Sequence, residues 1–330
     1  MPALPLVSVI IVTWNSEKHL PACLDALSAQ TYKDFEVVMI DNGSADQNYL
    51  GFEGKYSDLE LTLKKNNENL GFAVANNIGA RLARGQWLAP LNADAFPEPD
   101  WLERLLEATK TYPNAFFTSR QLQADKPQYL DGEGDIYHVS GLAWRKNYNL
   151  PVYPLNEDQE VFSACGAAAF YPRQEFLDTG GFDENYFSYH EDVDLGFRLR
   201  LRGLNCVLIP QAIVRHVGSA STGKKSDFSI YYGHRNLVWT YFKDMPSTLF
   251  WLYLPLHIVV NFFFLIYFTL KGKGRVIWRA KLDAIRGLPM ILKKRREVQI
   301  QRQISISEIH RVMSRNWLTP FLSFIKRKSG

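Results

Sequence analysis

Apolar residues follow two rhythms along this chain. Residues 7–13 (VSVIIVT) form an apolar run rich in β-branched side chains, and Leu20, Leu24 and Leu27 then recur at helical spacing. A strand followed by a helix is the expected outcome. The alternation returns with FEVVMID (35–41) and LELTL (59–63) as strands and 72–84 as an Ala-rich helix ending before Gly85. QWLAPLN (86–92) reads as a further strand, and 97–112 as a helix with Trp101, Leu105 and Leu106 on one face. Strands alternating with helices predict an α/β fold whose mainly parallel sheet is covered on both faces. Ligands of such sheets sit at the carboxyl ends of the strands.

Residues 122–160 are rich in Gly, Asp, Tyr and Pro without a sustained period, which predicts loops and a hairpin lining the site. Regularity resumes with AAAFYP (167–172), a helix from about Glu191 to Arg202 closed by Gly203, and a strand CVLIP (206–210). No solenoid-type repeat is visible. With 330 residues, 46% hydrophobic and 22% charged, the chain can build one large domain plus an appendage. Its formal charge of +4 hides an asymmetry: Lys271–Gly330 holds 16 Lys plus Arg against 3 Asp plus Glu, net +13, which leaves −9 on residues 1–270. Such a basic tail suits an anionic surface. Cys23, Cys165 and Cys206 lie far apart in apolar surroundings, as buried thiols of a reducing compartment do. The N-terminus shows no basic n-region of a signal peptide, which favours the cytoplasm.

Five segments carry candidate chemistry. VMIDNGS (38–44) ends a strand in Asp41, whose carboxylate could accept from the imide N–H of a pyrimidine base, although strand-ending Asp residues are commonly turn formers. In NLGFAVANNIGA (69–80), Gly71 permits close backbone approach, and Asn69, Asn76 and Asn77 offer amides to a ligand or to a helix cap. LNADA (91–95) places Asp94, with Asn92 beside it, where a carboxylate could ligate a hard cation bound to diphosphate. FDENYFSYHEDVDLGFRLRLRG (182–203) crowds Glu191, Asp192 and Asp194 at a helix start. Those acids complement the helix dipole, yet a hydroxyl attacking an anomeric carbon also needs a carboxylate base, and Asp192 is the candidate. In IVRHVGSAS (213–221), His216 follows a strand and is a candidate second metal ligand, against the commoner role of a hydrogen-bonded surface histidine.

Taken in order, these segments resemble the inverting family 2 glycosyltransferases of GT-A fold, specifically the bacterial rhamnosyltransferase-like subgroup of cell-surface polysaccharide synthesis. The resemblance covers about Val7 to Tyr241. It implies that Thr13 and Asn15 border the nucleotide, that Asp41 holds the base, and that Asn69 and Asn76 contact base and ribose. The family's metal-binding D-x-D stands here as Asn92-Ala93-Asp94, so only Asp94 keeps the carboxylate. The E-D pair matches Glu191-Asp192, with Asp192 in the place of the base, and the family's H-x-x-G-x-S resembles His216 to Ser221, where the glycine stands one position earlier at Gly218, with His216 as metal ligand. DGEGD (131–135) and FSACGAAAFYPR (162–173) resemble donor-sugar and acceptor segments, which makes Asp131, Gly134 and Gly166, together with His190 and Glu191, candidate pocket residues. For the glycines, turn formation is an equal alternative.

The implied activity is transfer of one sugar from a nucleotide diphosphate donor to a glycan or lipid-linked acceptor, with a divalent cation (Mg²⁺ or Mn²⁺). Rhamnose from dTDP-rhamnose is the first expectation, with UDP-hexose or UDP-N-acetylhexosamine as the alternative donor. A non-catalytic nucleotide-sugar binder or scaffold is the alternative of another class, disfavoured by retention of a general base. The Q-x-x-R-W signature of processive synthases is absent, and no nucleic-acid module interleaves aromatic and basic residues. The oligomeric state stays open.

A catalytic domain over 1–241 and a helical C-terminal region over 242–330 are expected. Residues 245–270 (MPSTLFWLYLPLHIVVNFFFLIYFTL) lack formal charge and are long enough to cross a bilayer. By the positive-inside rule, the basic C-terminal flank of a span would put the catalytic body outside, away from cytoplasmic nucleotide sugars. Pro246 and Pro255 interrupt the segment, and Trp251, Tyr253 and Tyr267 suit an interface. Attachment at the inner face of the plasma membrane, by a surface or re-entrant helix pair, is therefore favoured over a span or a buried core helix.

Overall fold

The computed structural model describes residues 5–45, 52–218 and 226–316. Strands β1 (Val7–Thr13), β2 (Phe35–Asp41), β3 (Glu60–Lys65) and β4 (Trp87–Asn92) run parallel in the order β4-β1-β2-β3. Helices α1 (Leu20–Ser28), α2 (Phe52–Lys55), α3 (Gly71–Leu82) and α4 (Trp101–Thr111) connect and flank them. The apolar runs become central strands because both faces are covered: β2 is buried along its whole length. Leu20, Cys23, Leu24 and Leu27 of α1 share one core with Trp101, Leu102 and Leu105 of α4. The registers Val12↔Asn92 and Thr13↔Asp41 align the carboxyl ends of β1, β2 and β4 at one edge, where a ligand crevice belongs.

The sheet continues beyond β4 through β5 (Ala95–Pro97), β6 (Ala115–Gln123), β7 (Leu130–Gly132), β10 (Gln159–Val161), β11 (Ala169–Pro172) and β12 (Asn205–His216), while β8 (Asp135–Tyr137) and β9 (Ala143–Arg145) form a separate antiparallel pair. The predicted hairpin within 122–160 is this pair. Two expectations change here. The helix drawn from residue 97 starts at Trp101, because Ala95–Pro97 instead pairs antiparallel with β12. CVLIP and the segment ending at His216 are one strand, with its register shifting between Ile209 and Ile213; Pro210, which has no N–H, falls in the irregular stretch.

Helices α5 (Arg173–Asp178), α6 (Glu191–Leu201), α7 (Asp227–Asp244), α8 (Ser247–Phe268), α9 (Gly274–Arg286), α10 (Leu288–Ile300) and α11 (Ile306–Val312) complete the described fold. Residue 241 lies inside α7. A buried ion cluster joins α7 to the body: Lys243 pairs with Asp183 (2.6 Å) and Asp194, Lys294 of α10 also bonds Asp183 (2.5 Å), and Arg198 grips Asp194. Breaking such a buried pair leaves an uncompensated charge, which is why the pairing ties these elements together. The apolar segment is one helix, not a pair broken at Pro255: that proline sits inside α8, and the chain turns at Gly272 (φ +74°) before α9.

Candidate active site

At the carboxyl ends of β1 and β2 the backbone is stapled into a cradle. Thr13 is buried, and its carbonyl accepts from Asn42 N (2.8 Å). Asp41 Oδ1 accepts from Ser44 N (3.0 Å). Asn15, left-handed at φ +50°, donates its N–H to Ser44 Oγ (3.0 Å), and its Oδ1 accepts from Ala45 N (3.0 Å). Asn42 is the hub that sequence reasoning missed. Its Nδ2 donates to Asn69 Oδ1 (2.9 Å), while its Oδ1 accepts from Asn66 Nδ2 (3.0 Å) and Leu70 N (3.1 Å). Asn69 also accepts from Gly71 N (2.9 Å), so its oxygen shapes the loop that opens α3. Gly71 is required there: at φ +84°, a Cβ would lie 2.7 Å from Phe187.

The two asparagines of α3 differ. Asn76 donates back to Phe72 O (3.0 Å). Asn77 is committed to the fold, donating to Phe182 O (2.8 Å) and accepting from Phe182 N (2.9 Å), which ties α3 to the segment before α6.

Beyond β4, the acidic motif meets the end of β12. His216 is buried, with Nε2 3.3 Å from Asp94 Oδ1 and 3.3 Å from Asn92 Nδ2, and Nδ1 2.7 Å from Asp131 Oδ2. Asp131 thus stands behind His216, where Arg145 also pairs with it, instead of presenting an open sugar-pocket face. Burial lowers the affinity of His216 for a proton, but hydrogen bonds to Asp131 and Asp94 more than offset this and raise its pKa. Burial likewise works against the Asp94 carboxylate, and His216 outweighs it, leaving the group below its ordinary value.

Among the described residues, no group of three or more His, Cys, Asp or Glu forms a ready-made metal cage. The pair of donors still fits a divalent ion, since two ligands at about 2.1 Å in an octahedral shell lie roughly 3 Å apart, and Mg²⁺-type sites take their remaining ligands from phosphates and water. Asp131 on Nδ1 would orient the ring, as carboxylates do behind metal-bound histidines. Ser221, the end of that motif, lies outside the described residues.

Asp192 opens α6. Its carboxylate accepts from Gly166 N (3.0 Å) and Val193 N (2.8 Å), which leaves lone pairs for a substrate hydroxyl. The strand end lies one loop away, because Ala167 O accepts from Asn92 N (3.0 Å). Burial raises the Asp192 pKa against those backbone bonds and the nearby Arg145. Burial, reinforced by Asp192, pushes the carboxyl of neighbouring Glu191 well above the usual carboxylate range. His190 is pushed down to about 4 by burial. Gly134 (φ +74°) serves a tight turn, its Cβ position lying 2.7 Å from Val161.

The approach to α6 is strained. Phe187 (φ +65°, ψ −60°) is the centre of a γ-turn closed by Ser188 N to Tyr186 O (2.8 Å), and Tyr189 and His190 follow at φ +68°. Such residues each cost on the order of 1–3 kcal/mol and persist only where surroundings impose them. Arg145, Asn236 and the Asp131–His216 pair were not found from sequence as a connected set. Asp131 and His216 are 85 positions apart, and no periodicity links them.

The family 2 glycosyl transferase model matches residues 8–178, just over half of the chain. The chain belongs to glycosyl transferase family 2, and its fold is GT-A. Among curated relatives, it is 29% identical over 249 residues to N-acetylglucosaminyl-diphospho-decaprenol L-rhamnosyltransferase of Mycobacterium tuberculosis, covering 66% of this chain and 78% of that one. The amylovoran biosynthesis glycosyltransferase AmsB of Erwinia amylovora is 26% identical over 246 residues, 68% and 75% of the two chains. S. aureus TarS 1-349 in complex with UDP-GlcNAc shares the fold at TM-score 0.57 and 17% identity, covering 89% of this chain and 92% of that one. The mannosyltransferase PcManGT of Pyrobaculum calidifontis, in complex with GDP-Man and Mn²⁺, does so at TM-score 0.55 and 16% identity, with coverage of 94% and 86%. Asp192 and His216 lie beyond the segment that the family model matches.

Proposed function

We propose that this glycosyltransferase moves a single sugar, with inversion, from a nucleotide diphosphate donor to a hydroxyl of a glycan or lipid-linked acceptor in cell-surface polysaccharide biosynthesis. Rhamnose from dTDP-rhamnose is the first candidate donor, supported by the rhamnosyltransferase among the relatives. The carrying observation is the position of Asp192, bonded through its Oδ atoms to two backbone amides and one loop away from the Asn92–Asp94 strand end.

In the proposed single displacement, Asp192 takes the proton of the acceptor hydroxyl while that hydroxyl's oxygen forms the bond to the anomeric carbon. The bond from that carbon to the diphosphate oxygen breaks, and the leaving group departs with the electron pair. Asp94 and His216 Nε2 would hold the divalent cation, which supplies charge stabilisation to the diphosphate. Asp131 fixes the His216 ring, and the Thr13–Asn15 and Asp41–Asn42 backbone forms the nucleotide cradle. The test is a calorimetric panel of nucleotide sugars with Mn²⁺. Saturable binding of one donor is expected, and binding of none would remove the proposal.

The same reading places the enzyme on the inner membrane face. Among the described residues, one helix is long and apolar enough to cross a membrane, and only 22% of its most apolar window is buried. Trp251 (69% exposed), Phe262 (60%) and, across the turn on α9, Ile285 (62%) face outward. Lys271, Lys273, Arg275 and Arg279 lie close by in sequence, and each cation near anionic lipid contributes about 1 kcal/mol. The full chain should float with phosphatidylglycerol-containing vesicles and less with pure phosphatidylcholine. Recovery in the soluble fraction with both would contradict attachment.

A further inference from the structure

We infer that Asn236 of α7 is a positioning residue, holding the strained Phe187–His190 loop so that Asp192 faces the acceptor. Its fully buried amide donates to three successive parts of that loop: Tyr186 O (3.0 Å), Ser188 O (3.0 Å) and Tyr189 O (2.7 Å). Two N–H hydrogens shared among three carbonyls form a dense local clamp on backbone that pairs with no strand. Arg235 sets the orientation of the amide, donating its Nε–H to Asn236 Oδ1 (2.9 Å). The same guanidinium donates to Asn185 O (2.9 Å) and Tyr186 O (3.0 Å) and lies over the Trp239 ring, 4.1 Å from its centroid.

The clamped loop joins both halves of the site. Phe187 O accepts from Phe72 N (2.7 Å) at the start of α3, on the nucleotide side, while His190 is the residue immediately before α6 and its Asp192. The γ-turn at Phe187 and the left-handed residues after it do not hold themselves; a side chain with donors on one end and an oriented acceptor on the other does. A short aliphatic side chain at 236 would leave three carbonyls without that partner, and Asp would face them with a carboxylate.

The role rests on Asp192 being the base, so its test carries a readout that needs no substrate. Hydrogen exchange is compared across the full chain for wild type, Asn236→Ala and the milder Arg235→Lys. Exchange should quicken at least about tenfold over residues 187–192 while β1 and the body of α3 keep their protection. With the donor found by the binding panel, turnover should fall at least about tenfold with donor KM within about twofold. Unchanged protection over 187–192 overturns the inference, as does a uniform rise over the whole sheet, which marks a general structural role. Asp192→Asn tested alongside separates the two ideas: an active Asp192→Asn enzyme removes the base assignment, whatever the exchange pattern shows.

Discussion

Asp192→Asn should cut turnover by about a hundred- to ten-thousand-fold, the range general base catalysis contributes. Asparagine keeps the size of the side chain but cannot take the acceptor's proton. Its amide oxygen can still accept from Gly166 N or Val193 N, so the loop and nucleotide affinity should hold. The pH profile carries a second signature. A base must be deprotonated, and burial holds the Asp192 carboxyl above the range of an ordinary aspartate. The acid limb of kcat/KM should therefore lie at higher pH than an ordinary aspartate would give, with activity lost as pH falls through it. A pH–rate profile of the wild type and an isothermal titration of nucleotide into the variant check both points. Near-normal turnover in Asp192→Asn would end the assignment.

The second large effect concerns the cation. Asp94→Ala and His216→Ala should each abolish saturable Mn²⁺ binding in the presence of nucleoside diphosphate, and lower turnover by about a hundred- to a thousand-fold, as loss of charge stabilisation on a leaving group does. Asp131→Asn should weaken the cation about ten- to a hundred-fold instead, because it removes only the carboxylate behind the ring. The ordering is the discriminating result. If Asp131→Asn matched His216→Ala, the pair would be a structural unit of the core; if His216→Ala left Mn²⁺ dependence intact, its ligand role would be lost.

The outline of the fold was legible because its signals are local. The apolar run at 7–13, the alternating segments to residue 112 and the helix stopped by Gly203 all follow from periodicity and from glycine at φ +95°. Strand β5 escaped because three residues ending in proline carry no period, and β12 was split because its register shift hides one strand behind two patterns. At the site, Asp94, Asp192 and His216 stood out because their residue types suit the chemistry. Other residues of the site did not: Asn42 and Asn236 act through partners 28 and 47 positions away, Arg145 meets Asp131 across 14, and an Asn within a helix has no sequence mark of a clamp. The three cysteines are buried as expected, and burial pushes the Cys165 thiol up to about 12, so they are inert at neutral pH.

The central claim is direct displacement at the anomeric carbon with Asp192 as base. Its most direct measurement is proton NMR of the product formed from the donor selected by the Mn²⁺ panel, comparing the anomeric configuration of the transferred sugar with that of the donor. The proposed single displacement predicts an inverted linkage from the wild type and no product from Asp192→Asn. A retained configuration, or transfer that survives the substitution, would contradict it.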